Sequence, residues 1–174
     1  MIDDLSSAFV SAWILRLSGG DPPAGRALDV AMGRGRHAVA LARAGFRTFG
    51  VDRNVAAVRD AMRSASALGV TLHCWCADLT QIPLPARRFD VVVVTRYLQR
   101  DLFLALRETV VPGGVVLYET FTAVPRAHGR GPTSPDHLLE QGELMRRFDG
   151  FDILAYEESA RPDATASIAA RRRR

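Results

Sequence analysis

Residues 27–52 read ALDVAMGRGRHAVALARAGFRTFGVD. Leu28 to Ala31 is a short apolar run with Asp29 embedded in it, Gly33 and Gly35 bracket a turn, and Ala38, Leu41 and Ala42 begin an apolar stripe at helical spacing. Gly45 closes that helix, and Thr48 to Val51 starts a second buried strand that ends on Asp52. The segment predicts strand, glycine turn, amphipathic helix, strand. Such a turn brings backbone N–H groups and a helix N-terminus against a ligand, because glycine has no side chain to block the approach. Asp52 lies 19 residues after Gly33, a spacing that suits a carboxylate accepting hydrogen bonds from ribose hydroxyls. The stretch implies an adenosine-type cofactor.

Two cofactor classes compete for it. Gly33-x-Gly35-x-x-Ala38 matches the dinucleotide fingerprint. Asp29, four residues before Gly33, argues against a pyrophosphate, which a carboxylate would repel, and suits the amino group of a methionine moiety. Asp29-Val30-Ala31-Met32-Gly33-Arg34-Gly35 resembles the first motif of the class I S-adenosylmethionine-dependent methyltransferases, acid-x-Gly-x-Gly-x-Gly, with Ala31 in place of the first glycine.

The resemblance extends over nearly the whole chain. Val70 to Cys76 predicts a third strand, followed by Ala77-Asp78-Leu79, where the family places an acid on the adenine amino group. Phe89 to Thr95, FDVVVVT, has the near-continuous apolar character of a centre strand covered on both faces. A helix is expected around Asp101 to Val110, then a turn at Pro112-Gly113-Gly114 and a fifth strand from Val115 to Phe121. The remainder predicts a helix and two strands, the methyltransferase order, closing in an antiparallel pair. Gly142-Glu143-Leu144 before the last helix, with the final apolar strand, is similar to the small tellurite-resistance and thiopurine methyltransferase group. The resemblance implies an α/β, Rossmann-like, mostly parallel seven-stranded sheet with helices on both faces. It also implies S-adenosylmethionine as cofactor, S-adenosylhomocysteine as product, and a cofactor-binding set of Asp29, Ala31, Gly33, Gly35, Arg36, Asp52, Arg53, Asp78, Leu79 and Thr95.

The composition sets limits. The 174 residues are 48% hydrophobic and 24% charged, which suits a single domain over 1–174 with one core. No window approaches the length of a membrane span, and MIDDLSS does not open like a secretory signal, so a cytoplasmic location is expected. Cys74 and Cys76 share one face of a strand and read as small core residues in a reducing compartment; no spacing suggests a metal site. All 23 basic residues are arginine, and Arg171 to Arg174 supply four charges, enough to account for the formal net charge of +4. A basic terminus of this kind, read as a frayed tail, is weak evidence for nucleic-acid binding. Base-methylating members of the superfamily carry an Asn/Asp-Pro-Pro-aromatic motif where this chain has Thr95-Arg96-Tyr97-Leu98.

The expected partner is therefore a small-molecule acceptor, without nucleic acid or membrane, for a monomer or homodimer. Candidate substrate-binding residues are Arg96, Tyr97, Arg100, Glu119 and His128, with His137 also near the strand ends; Arg96 and Glu119 are the catalytic candidates. Two arginines near one pocket suit an anionic substrate. Glu119 sits in an apolar strand, where it either pairs with Arg96 or Arg100 or meets substrate. His37, beside the glycine turn, reads as shaping the cofactor pocket, and His73 as a packed or edge histidine. Within residues 1–25, Ser6 to Leu17 has Phe9, Trp13 and Leu17 on one helical face, for a helix on the sheet edge or a lid over the cofactor. Residues 123–136 predict a long loop contributing to the substrate pocket. The alternatives are a methyltransferase-like partner module without turnover and an NAD-dependent oxidoreductase.

Overall fold

A computed structural model describes residues 7–19, 25–124, 131–160 and 163–174. The elements run α1 (Ala8–Leu17), β1 (Arg26–Val30), α2 (Arg36–Arg43), β2 (Arg47–Asp52), α3 (Val55–Ala67), β3 (Leu72–Cys76), β4 (Phe89–Thr95), α4 (Leu102–Thr109), β5 (Val110–Phe121), α5 (Glu143–Arg147), β6 (Phe151–Ser159) and β7 (Thr165–Arg172). A single 3-10 turn, Pro135–His137, precedes α5. The strands form one seven-stranded sheet in the order β3-β2-β1-β4-β5-β7-β6. β3, β2, β1, β4 and β5 are parallel, and β7 runs antiparallel between β5 and β6. The order reverses between β1 and β4, so the connections leaving these two strands diverge and open a crevice at their C-terminal ends.

β4 shows why an uninterrupted valine run belongs at the centre. Val92 and Val94 pack into one core with Tyr118, Phe103, Leu106, Leu144 and Phe148, on the face covered by α4 and α5. Val91 and Val93 pack into another with Val10, Ile14, Leu41 and Leu117, on the face covered by α1 and α2. With side chains alternating across the sheet, each valine is buried and contributes about 1.5–3 kcal/mol of transfer free energy. A third cluster, with Ala38, Val58, Ala61 and Ala65, joins α2 to α3.

Four sequence expectations are corrected here. Pro112-Gly113-Gly114 lies inside β5 as an irregularity, where the pairing jumps from Phe89↔Val110 to Val91↔Val115, and is not a turn before the strand. Arg171 and Arg172 belong to β7 instead of a frayed tail; the Arg172 guanidinium donates to the carbonyls of Arg107, Glu108 and Val110. α1 packs on the sheet face through Val10 and Ile14, not on its edge, and Phe9, Trp13 and Leu17 are its half-buried margin. Cys76 is exposed at the end of edge strand β3, while Cys74 is half-buried with its Sγ 3.8 Å from Met32 Sδ.

No helix among the described residues is long and apolar enough to cross a membrane.

Candidate active site

The glycine turn between β1 and α2 is tied to the end of β2. Gly33 N–H donates to Asp52 Oδ2 at 2.8 Å, and Asn54 N–H donates to Asp52 Oδ1 at 2.8 Å. Asn54 in turn caps α3 by accepting from Ala56 and Ala57 N–H. The two glycines serve different purposes. A Cβ on Gly33 would meet open space, whereas one on Gly35 would lie 2.7 Å from Ala61 Cβ in α3. The space in front of Gly33 is open, and Gly35 lets α3 approach the start of α2.

Ala31 and Arg96, the residues that follow β1 and β4, both adopt left-handed backbone, with φ of 52° each. This conformation is strained for a residue with a Cβ and clusters at functional sites. The Arg96 turn is held by Arg96 N–H donating to Glu119 O and by the buried Tyr118 hydroxyl donating to Tyr97 O. A cleft of about 560 Å³ opens here, lined by Ala31, Asp52, Arg53, Ala77, Asp78, Leu79, Thr80, Arg96, Tyr97, Leu98, Gln99, Pro132 and His137. It brings together the ends of β1 to β4 and the segment before α5.

The cleft holds acceptors that an adenosine-bearing ligand could use. Each Asp52 oxygen accepts one backbone N–H and retains a lone pair for a ribose hydroxyl. Asp78 Oδ1 accepts from the Thr80 N–H and hydroxyl, which hold its carboxyl below the usual range and keep it ionised. The Tyr97 hydroxyl, which donates to Gln99 Oε1, has its pKa raised by burial and stays protonated.

Several candidates lie elsewhere. Asp29 is 1% exposed and accepts from Ala38 N–H at 2.9 Å inside the first turn of α2; burial raises its pKa to about 7. Arg36 opens α2 and lines a groove between α2 and α3. Thr95 Oγ1 lies 3.1 Å from His37 Nδ1, and His37 Nε2 accepts from Ser7 N–H at 3.1 Å. His37 is buried, and burial with the nearby Arg36 and Arg96 charges lowers its pKa to about 4, so it is neutral and does not line the cleft. Arg100 points away from the cleft, into a bidentate pair with Glu143. Glu119 is half-buried in β5 and makes no ion pair with Arg96 or Arg100 among the described residues. His128 lies outside the described residues. His73 is exposed on edge strand β3 and stacks on Phe49 at 5.0 Å.

Ala77, Thr80, Leu98 and Gln99 line the cleft without having been singled out by sequence, while Pro132 belongs to the 123–136 loop expected at the substrate pocket. Thr80 had a signal, since Asp-x-Thr is an Asx-turn pattern in which the carboxylate reaches two residues on. Among the described residues, no group of three or more His, Cys, Asp or Glu is placed to hold a metal ion.

Residues 27–114 match the methyltransferase domain family. No curated protein matches the sequence. Among solved structures, TehB from Haemophilus influenzae superposes with a TM-score of 0.79 at 16% identity, over 97% of this chain and 63% of that one. This chain thus spans less than two thirds of that protein's length. An S-adenosylmethionine-dependent methyltransferase from Mesorhizobium loti gives 0.72 at 20% identity, over 93% and 95% of the two chains. Another, from Aquifex aeolicus, gives 0.70 at 16% identity, over 94% and 89%. These likenesses establish the Rossmann-like methyltransferase fold.

Proposed function

The chain belongs to the methyltransferase domain family, and on that premise we propose that it is an S-adenosylmethionine-dependent enzyme that methylates a small, anionic or soft nucleophile held beside Arg96. The observation that carries this reading is that one cleft gathers Asp52 and Asp78 together with Arg96, Tyr97, Gln99 and His137. S-adenosylmethionine supplies an activated sulfonium methyl when bound. Asp52 would take its ribose hydroxyls and Asp78 its adenine amino group. Asp29, buried behind the turn, would favour its ammonium.

The protein's part is then alignment, which supplies about 7–11 kcal/mol of barrier lowering when two bound reactants are held in line. Arg96 would orient an anion through its planar guanidinium. A thiolate, selenolate or oxyanion needs no strong base, and the half-buried Glu119 and neutral His37 lie outside the cleft lining. The intact carboxylates Asp52 and Asp78 favour cofactor binding over a partner module.

The test is transfer from labelled cofactor to a panel of thiols, selenite, tellurite, amines, carboxylates and bulk RNA. Arg96→Ala is expected to leave cofactor affinity nearly unchanged while raising acceptor KM or lowering turnover, with Arg96→Lys rescuing in part. Transfer to RNA alone, or an Arg96→Ala effect confined to cofactor affinity, would overturn the proposal.

A further inference from the structure

Arg100 connects the segment after β4 to residues 136–143, which lie 36 to 43 positions further along the chain. Its Nε and Nη2 donate to Glu143 Oε1 and Oε2, both at 2.9 Å, while Nη2 also reaches Leu138 O at 2.8 Å and Nη1 reaches Asp136 O at 3.2 Å. Glu143 is only 5% exposed and has a complete set of partners: Arg100, the Nε and Nη2 of Arg147, and Glu140 N–H at 3.0 Å. Arg147 also lies over the Phe103 ring at 5.2 Å, which ties the cluster to α4. The segment between these anchors is pinned a second time at Leu139, which is fully buried, donates to Phe121 O and accepts from Ala123 N–H.

The segment held this way carries His137 and, upstream, Pro132, two walls of the cleft that come from no strand end. Arg100 follows β4 by five residues, in the same connection as Arg96, Tyr97 and Gln99. One guanidinium therefore sets the distance between the connection that follows β4 and the segment that carries His137. A planar fork can satisfy a carboxylate and two carbonyls together, which an ammonium cannot.

We infer that Arg100, with Glu143 and Arg147, is a positioning clamp that fixes residues 135–139 as the acceptor-side wall, so that acceptor selection depends on His137 and on the clamp holding it. The assignment rests on the methyltransferase reading only for the identity of what the wall contacts; the clamp itself stands on the hydrogen bonds. Burial would push the Glu143 carboxyl up, but its Arg100, Glu140 and Arg147 donors bring it down to about 2, so the clamp stays charged at neutral pH.

Arg100→Ala leaves Glu143 with Arg147 and Glu140 N–H, so local loosening is expected in place of unfolding. Hydrogen exchange of the His137, Leu138 and Leu139 amides should accelerate by roughly tenfold or more, with β1 and β4 unchanged. S-adenosylmethionine affinity by calorimetry should stay within about twofold, while acceptor KM rises by roughly tenfold. His137→Ala should change the rank order of acceptors with wild-type exchange. Arg100→Lys should fall between, keeping the Glu143 pair and losing the carbonyls. Unchanged exchange at 137–139 in Arg100→Ala overturns the clamp. Equal losses of cofactor and acceptor affinity overturn its acceptor-side role, as does an unchanged acceptor order in His137→Ala. If the wild type methylates nothing in the panel, the functional reading fails, and the exchange data still decide the clamp.

Discussion

The Nδ1 of His37 lies 3.1 Å from the Thr95 hydroxyl, while its Nε2 accepts the Ser7 N–H. A ring nitrogen that accepts from a backbone N–H carries no proton, so the neutral His37 donates from Nδ1 to Thr95. The same imidazole thus joins the N-cap of α1 to the last residue of β4. A proton on Nε2 would face the Ser7 N–H directly.

Two buried groups then pull stability in opposite directions with pH. His37 has its pKa lowered from 6.5 to about 4 by burial, so between those values the unfolded chain binds the extra proton and stability rises with pH. Asp29 has its pKa raised from 3.8 to about 7, so over nearly the same window the folded chain holds the extra proton and stability falls as pH rises. The wild type should show a shallow profile from these two groups. Asp29→Asn should gain stability on the order of 3 kcal/mol between pH 4 and 6.5, and His37→Gln should instead lose it. Urea denaturation at several pH values reads this directly; identical profiles for all three proteins would contradict it.

Cofactor binding should release a proton near neutrality. On the proposed binding mode an ammonium held at the glycine turn, in front of the buried Asp29, would favour its carboxylate, so affinity for S-adenosylmethionine should rise as pH passes through about 7. Calorimetry in two buffers of different ionisation enthalpy measures the proton count. Asp29→Asn should bind with no such linkage.

Asp52→Ala should weaken cofactor binding by about 1.5–3 kcal/mol, the range for hydrogen bonds to a charged group. Asp78→Ala should cost less, because an adenine amino group offers one bond. The sharper comparison is the inosine analogue, which wild type should bind more weakly than S-adenosylmethionine. An Asp78→Ala protein that still discriminates fully removes Asp78 from the site.

The turn allows a test of strain against packing. Ala31→Gly should stabilise the fold by about 1 kcal/mol, since glycine adopts φ of 52° without steric cost. Gly33 and Gly35 are both left-handed, with φ of 55° and 76°. Gly33→Ala should lose only the conformational part, about 1 kcal/mol, and Gly35→Ala a further ~1–3 kcal/mol from the contact with Ala61. Equal losses for the two glycines would show that the Ala61 contact is not close enough to matter.

Much of this was legible because the deciding signals are local. The turn, Asp52, FDVVVVT and the terminal strand pair follow from periodicity and spacing within short windows. What spacing could not supply was direction. Arg100 reads as a second anion-binding arginine beside Arg96, and only the fold brings Glu143, 43 residues on, against it. Asp29 reads as a ligand-facing acid, yet its carboxylate turns to the N-terminus of α2. Pro112-Gly113-Gly114 has the composition of a turn, but an irregular strand tolerates the same residues. The 123–136 loop was legible as a pocket segment, but which of its residues meet the cleft depends on long-range anchors such as Arg100.

The position of β7 has a consequence for how the chain assembles. Among the described residues it follows every other strand, yet it lies between β5 and β6, and β6 pairs there with nothing else in the sheet. β6 therefore cannot be seated when it is made, and waits for residues 165–172. The cheap closure is the β6–β7 hairpin, whereas pairing Val115 with Arg171 closes a far longer loop. The expected order is that the parallel part, β1 to β5, condenses first and presents β5 as a bare edge, to which the hairpin docks last as a unit. Until then Val115 to Phe121 is an exposed apolar template, and that interval is when the chain is most open to misassembly.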